Sequence, residues 1–342
     1  MTYYVKHKKH YWARKLYRSS KKFDLRLLDY YKISQKESEI LFKEYVEIIK
    51  LETSSYCNRV CNYCPVAEFG RKDKNLIISH SIINSVRDAL KRINYDKRLD
   101  FSLYNEPLEN EIIYDVIYQF HKVIPNAILS LNSNGDYIKN INKLIKLSEK
   151  GLKEITITLH TPPKQKWKRI SRESALKRFA KKINFKLTET HIKNLKFTFN
   201  IKNLHCIVYC PNWFEIGSSR GGAIDYLNTK NIRQTPCTKP FREFTIYYDG
   251  FVTPCCEIYH DKNYNKHSVG HILPDDPSSI FNVYSGKHLT MWRKGLFDYS
   301  PKKRPCATCK SAEDSKKLIN YEEDLKIRKD FLKKILKYKF TG

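Results

Sequence analysis

No stretch of this 342-residue chain approaches the roughly 18 consecutive apolar positions that a membrane-spanning helix needs. Residues 1–22 are basic and aromatic but lack the apolar run of a secretory signal. Internal repeats and low-complexity linkers are missing as well. Acidic residues are scarce, 36 against 64 lysines and arginines, which leaves a formal net charge of +28. These absences point to a soluble protein of the cytoplasm without a membrane span.

What is present is a globular composition, 41% hydrophobic and 13% aromatic, in a chain long enough for one large domain or two. The excess of positive charge has a bland source in a Lys-, Asn-, Ile- and Tyr-rich vocabulary of the kind an AT-rich genome produces. It would still draw acidic partners by long-range steering: an acidic electron carrier, an anionic small molecule or nucleic acid. Ten cysteines in a reducing compartment argue for metal or redox chemistry rather than disulfides.

Short apolar runs at residues 46–51, 99–103, 127–131, 154–159, 195–201 and 205–209 alternate with helical patterns at 78–93, 111–123, 138–150 and 172–183. Strands alternating with helices predict a parallel sheet of right-handed βαβ units. Six of them would make an α/β fold, a partial (β/α)6 barrel, with function at the carboxyl ends of its strands. The pattern breaks near Pro211, and residues 237–312 carry turns, short paired strands near 244–252 and five cysteines. The expected organisation is a basic extension over 1–45, a barrel over 46–236, a small cysteine-rich module over 237–312 and a C-terminal helix over 313–342.

Directly after the first strand stand Cys57, Cys61 and Cys64, spaced CxxxCxxC. Three thiolates on one loop can hold three irons of a cubane and leave the fourth open. A structural zinc site would want four closed ligands and fits this spacing poorly. With Tyr63 as the aromatic before the last cysteine, the motif resembles that of the radical S-adenosylmethionine (SAM) superfamily. The resemblance implies a [4Fe–4S] cluster on these three cysteines, with SAM bound at the open iron and Tyr63 near the adenine. It extends to Tyr104-Asn105-Glu106-Pro107, similar to the family's GGEP segment, in which Asn105 departs from the usual glycine. Glu106 would then take the SAM amino group. Ser133 and Asn134 end the third strand, where related enzymes contact SAM.

Cys237, the run Gly250-Phe-Val-Thr-Pro-Cys255-Cys256, and the pair Cys306 and Cys309 resemble the SPASM/twitch extension of radical SAM proteins. That resemblance implies one auxiliary [4Fe–4S] cluster on Cys237, Cys255, Cys306 and Cys309; a zinc ribbon on the same four is the alternative. Cys206, Cys210 and Cys256 remain, each readable as a buried thiol, with Cys256 and Cys210 the candidates for a hydrogen donor to a product radical. Arg220, in Ser218-Ser219-Arg220-Gly221-Gly222, matches an arginine that related enzymes place near the SAM carboxylate or the substrate. His160, ending the fourth strand, reads as a structural histidine, a substrate contact or a base.

The resemblance implies an electron from flavodoxin or ferredoxin, SAM cleavage to a 5′-deoxyadenosyl radical, and hydrogen abstraction from a small-molecule, possibly anionic or sugar-like substrate. Twitch-type dehydrogenases then oxidise the substrate radical, whereas epimerases return a hydrogen from a cysteine. Peptide maturases of this type usually bring two auxiliary clusters and a leader-binding domain, for which 45 residues are few. Dehydrogenation is the favoured expectation, epimerisation or peptide modification the alternatives. A zinc-bound nucleic-acid module is the distant one.

Overall fold

The computed structural model describes residues 25–28, 33–70, 76–163, 165–234, 237–261, 265–296 and 300–310. The expected C-terminal helix over 313–342 and most of the basic extension lie outside the described residues.

The parallel strands are short β-rich runs that enter a common core, and the first four along the chain are each followed by a helix. The helix α1 (Gln35–Tyr45) precedes β1 (Ile48–Leu51), and α2 (Pro65–Phe69) and α3 (His80–Arg92) follow it before β2 (Arg98–Asp100). In α3 the Ser79 hydroxyl accepts from the Ile82 amide, and Lys91 and Arg92 sit in the last turn, so both ends suit the helix dipole. Its buried face is Ile82, Ile83, Val86, Ala89 and Leu90. There follow α4 (Ile112–Val123), β3 (Ile128–Ser133), α5 (Ile141–Glu149), β4 (Glu154–Thr158), α6 (Arg169–Lys182), α7 (Glu189–Asn194), β5 (Lys196–Ile201) and β6 (Leu204–Tyr209).

The described residues form one open nine-stranded sheet in the order β5-β6-β4-β3-β2-β1-β7-β8-β9, where β7 is Glu243–Ile246, β8 Phe251–Thr253 and β9 Gly270–His271. Six neighbouring strands, β6-β4-β3-β2-β1-β7, run parallel. The six-strand count of the partial barrel therefore holds, but its membership differs from the reading of the apolar runs. Residues 195–201 pair antiparallel with β6 as an edge hairpin. The sixth parallel position belongs to β7, from the cysteine-rich segment, which pairs with β1 from Ile48↔Glu243 to Leu51↔Ile246. The hairpin turn at Lys202, with φ 49°, is too tight for a parallel crossover, which needs a helix-length connection.

The N-terminal helix α1 also crosses expected boundaries. Phe42 meets Phe244, Phe281 and Tyr284 edge-on at 5.2, 5.4 and 5.1 Å. Ser38 Oγ donates to the Phe281 carbonyl at 2.7 Å, in the helix Ser279–Ser285. Through these contacts the lead-in fastens the cysteine-rich segment to the sheet, and both share one apolar core. No helix among the described residues is long and apolar enough to cross a membrane.

Candidate functional site

The loop from Cys57 to Cys64 leaves the carboxyl end of β1, where parallel sheets present their loops to ligands. Within it Cys61 and Cys64 share a tight turn, in which the Cys64 amide donates to the Cys61 carbonyl at 2.9 Å. Burial pushes Cys57 up to about 12 and Cys61 up to about 11, and the neighbouring thiols of the triad push each further in that direction. Cys57 and Cys61, which resist becoming thiolates on their own, belong with Cys64 to a donor set that a cationic iron centre would satisfy, because the metal neutralises the charges that neighbouring thiolates impose on one another.

Beside them, at the end of β2, lies Glu106, 1% exposed. One oxygen accepts from Ser133 Oγ at 2.8 Å and from the Leu108 amide at 3.2 Å; the other accepts from the Asn134 amide at 2.7 Å. Burial raises this carboxyl to about 7 despite those donors. A buried carboxylate with no ion pair among the described residues is suited to an ammonium group. Ser133 and Asn134, expected from the sequence to contact SAM, bond the Glu106 carboxylate. Asn105 has a bracing role instead: it accepts from the Leu103 amide and donates to Thr53 and Ser54 at 3.4 Å.

Tyr63 stacks on His160, with ring centroids 5.8 Å apart, and its hydroxyl lies 3.0 Å from His160 Nδ1. Phe214 closes its other side edge-on at 5.3 Å. Burial, with the charge of Arg59 adding to it, drives His160 down to about 3. The imidazole is therefore neutral near neutral pH and a weak proton acceptor, which suits a hydrogen-bond partner for Tyr63.

The second set, Cys237, Cys255, Cys306 and Cys309, lines one cavity, bordered by Arg233 and Lys239 among others. These cysteines come from three separate stretches of chain. The Cys237 amide donates to the Leu296 carbonyl and the Arg233 amide to the Ala307 carbonyl, both at 2.8 Å. Among the described residues no three thiol, imidazole or carboxylate side chains gather closely enough to hold a single metal ion. What the four thiols surround is an open cavity, and a cubane spreads its ligands wider than one ion does.

Between the two sites runs a charged chain that the sequence reading only touched. Arg220 reaches Glu257 at 3.2 Å; Glu257 is bonded by Ser218 and by Lys239 at 3.3 Å; Lys239 also meets Cys256 Sγ at 3.4 Å and Glu243 at 3.4 Å. Tyr104 underlies Arg220, 5.9 Å from ring centre to guanidinium, and its hydroxyl donates to the Cys256 carbonyl at 2.9 Å. Charge on Arg220 is felt by both Cys64 and Cys256. Arg220 takes φ 49° and Gly221 φ 64°, and a Cβ on Gly221 would stand 3.2 Å from the Glu257 carbonyl, so the approach of this turn depends on glycine.

Cys256 does not line the second cavity; burial pushes its thiol up to about 12. Cys210 and Cys206 sit in the main apolar core, where alternate residues of β6 point inward. Cys210, 2% exposed, has its sulfur against the Arg172 carbonyl at 3.5 Å, so the structure packs this hydrogen-donor candidate into the core. Glu257 and Lys239 were missed although each stands two residues from a cysteine of the second set. Tyr104 was read only as part of its motif.

Comparison with known proteins agrees with this geometry. Residues 237–310 match the SPASM family, an iron-sulfur cluster-binding domain. The chain is 23% identical over 238 residues to the S-adenosyl-L-methionine-dependent 2-deoxy-scyllo-inosamine dehydrogenase of Niallia circulans, covering 68% of this chain and 84% of that protein. It is 27% identical over 119 residues to the GTP 3′,8-cyclase of Aquifex aeolicus, but spans only 36% of that enzyme. Among solved structures, BtrN in complex with AdoMet and 2-DOIA shares the fold, with a TM-score of 0.56, 21% identity, and coverage of 78% of this chain and 94% of that one. Residues 237–310 thus form a domain of the SPASM, iron-sulfur cluster-binding type, and the chain as a whole is similar to a SAM-dependent dehydrogenase in sequence and shares the fold of BtrN.

Proposed function

We propose that this enzyme oxidises a secondary alcohol of a polyhydroxylated, sugar-like small molecule to a ketone. The observation that carries the reading is the Arg220–Glu257–Lys239 chain, which joins the surroundings of Cys64 to those of Cys255 and Cys256. A resemblance to a dehydrogenase that acts on 2-deoxy-scyllo-inosamine supports it.

In this reading Cys57, Cys61 and Cys64 hold the SAM-binding cluster within residues 46–236, and Cys237, Cys255, Cys306 and Cys309 hold the auxiliary cluster within 237–312. When bound, SAM and the clusters supply a carbon-centred radical that removes a hydrogen atom and a second site that accepts an electron. Glu106 holds the SAM amino group through a charge-assisted hydrogen bond, with its carboxylate fixed by Ser133 and Asn134. Tyr63, kept upright by His160, walls the adenine side and excludes water. Arg220 donates to a substrate hydroxyl oxygen, while the Glu257 carboxylate, oriented by Ser218 and Lys239, accepts the hydroxyl hydrogen. Lys239 stands beside Cys256 and balances charge on the side of the second cavity. The reductant is an acidic flavodoxin or ferredoxin of the cytoplasm, drawn by the basic surface.

The test is anaerobic turnover with dithionite, SAM and 2-deoxy-scyllo-inosamine, followed by mass spectrometry. The expected product is about two mass units lighter than the substrate, as loss of two hydrogens requires. Arg220→Met should weaken substrate binding by about 1.5–3 kcal/mol, the worth of a hydrogen bond between a charged group and the substrate hydroxyl. An Arg220→Met enzyme with unchanged substrate affinity would remove this residue from the site.

A further inference from the structure

The irregular loop between Cys57 and Cys61 is tethered to one short segment, residues 133–136. Arg59 makes a two-pronged contact with the Asp136 carboxylate, Nε to Oδ2 at 2.7 Å and Nη2 to Oδ1 at 2.6 Å. Asn58 Nδ2 donates to the same carboxylate at 2.8 Å, and Asn58 Oδ1 accepts from Asn134 Nδ2 at 2.7 Å. Asp136 therefore collects three side-chain hydrogen bonds from the two residues that follow Cys57. Although burial works against it, these contacts hold the Asp136 carboxyl below its ordinary value. The pair is half shielded, with Arg59 20% and Asp136 37% exposed, so solvent screens it only in part.

The same segment fixes Glu106. Ser133 Oγ and the Asn134 amide bond its two carboxylate oxygens, and the Asp136 amide donates back to Asn134 Oδ1 at 2.9 Å. The segment packs closely on its neighbour: Gly135 has φ 78°, and a Cβ there would lie 2.9 Å from the Ile157 side chain. One four-residue piece thus bonds both the cysteine loop and the carboxylate.

We infer that Asp136, through Arg59 and Asn58, is the positioning residue that sets the distance between the Cys57–Cys61 loop and the Glu106 carboxylate, and so the geometry in which SAM is chelated. Asp136 is hydrogen-bonded neither to a cysteine of the loop nor to the Glu106 carboxylate; it acts by holding the loop in register through Asn58 and Arg59. The inference rests on the placement of SAM at Glu106 given above.

The variants Asp136→Asn and Arg59→Lys, together with the exchanged pair Arg59→Asp with Asp136→Arg, test it. Each is reconstituted anaerobically, and SAM affinity, the SAM-induced change in the electron paramagnetic resonance of the reduced first cluster, and the melting temperature are read side by side. Asp136→Asn should weaken SAM binding about tenfold and blunt the SAM-induced spectral change, as expected for loss of a bidentate charge-assisted contact. Its melting temperature and the signal of the second cluster should stay at wild-type values. Arg59→Lys, which keeps the charge but not the fork, should lose less, and the exchanged pair should recover part of the affinity. Wild-type SAM affinity and spectrum in Asp136→Asn would overturn the inference alone. Equal losses of SAM affinity, second-cluster signal and melting temperature would also overturn it, by making the contact merely structural. Failure of the wild type to bind SAM would overturn the placement at Glu106 as well.

Discussion

The two cysteine sites are built by opposite means. The first lies within eight consecutive residues on a loop with little regular structure, and its geometry comes from polar tethers to the ends of neighbouring strands: Asn58 and Arg59 to Asp136, Tyr63 to His160, the Tyr56 carbonyl to the Glu106 amide. The second gathers thiols from residues 237, 255, 306 and 309 around a cavity, and the strands β7 and β8 with helix packing hold them in place. A local site depends on its neighbours for orientation and contributes little to the fold. A dispersed site closes long loops and stabilises the fold it sits in.

The largest expected effect divides the sites most sharply. Changing Cys57, Cys61 and Cys64 together to Ala should reduce reconstituted iron from about eight to about four atoms and abolish release of 5′-deoxyadenosine. Changing Cys237, Cys255, Cys306 and Cys309 instead should leave about four irons as well, but cost on the order of 2–4 kcal/mol of stability, the range for releasing long closed loops. Iron analysis and denaturant melts check both, and equal destabilisation by the two sets would break the comparison.

A smaller effect concerns the carboxylate beside the first site. Glu106→Gln should weaken SAM binding by about 1.5–3 kcal/mol, the worth of a hydrogen bond to a charged group. Because burial raises Glu106 to about 7, SAM must displace its proton below that pH. Wild-type affinity should be flat above about pH 7 and fall as pH drops through it, whereas the Gln variant should show no such slope. Binding titrations across pH distinguish the two, and parallel profiles would remove Glu106 from contact with SAM.

The smallest expected effect is at Cys256, which lies between the sites. Alcohol oxidation needs no hydrogen donor, so Cys256→Ala should keep near-normal turnover. If an inverted, equal-mass product formed in D2O with deuterium at carbon, and the variant lost it, the thiol would be a hydrogen donor and the reaction an epimerisation.

How much of this was legible in the sequence follows the same division. CxxxCxxC and the Asn105-Glu106-Pro107 segment are contiguous, so the family resemblance that implies the first site is carried by residue type and spacing. The resemblance that implies the dispersed set rests on the spacing of Cys237 and Cys255 from Gly250, at the tip of the β7–β8 hairpin with φ 83°, and on the pair Cys306 and Cys309. What spacing does not carry is which remote segments meet. The pairing of β7 with β1 depends on the whole sheet, so a strand in a cysteine-rich stretch was not assigned to the barrel, and residues 195–201, apolar enough for a central strand, went to its edge. The Arg59–Asp136 and Arg220–Glu257 pairs join residues 77 and 37 positions apart, and ordinary surface charges give no local sign of such partners. Cys210 shows the converse: a thiol at a strand end looks available until its burial is seen.

The central claim is that one hydrogen atom leaves the carbinol carbon of a polyol and does not return. The most direct measurement uses 2-deoxy-scyllo-inosamine deuterated at that carbon, with SAM and dithionite, in anaerobic turnover. The account predicts 5′-deoxyadenosine carrying deuterium from the substrate, in step with a ketone product that has lost both the label and its hydroxyl hydrogen. Unlabelled 5′-deoxyadenosine, or an alcohol product of unchanged oxidation level in which solvent hydrogen has replaced the label at carbon, would contradict it.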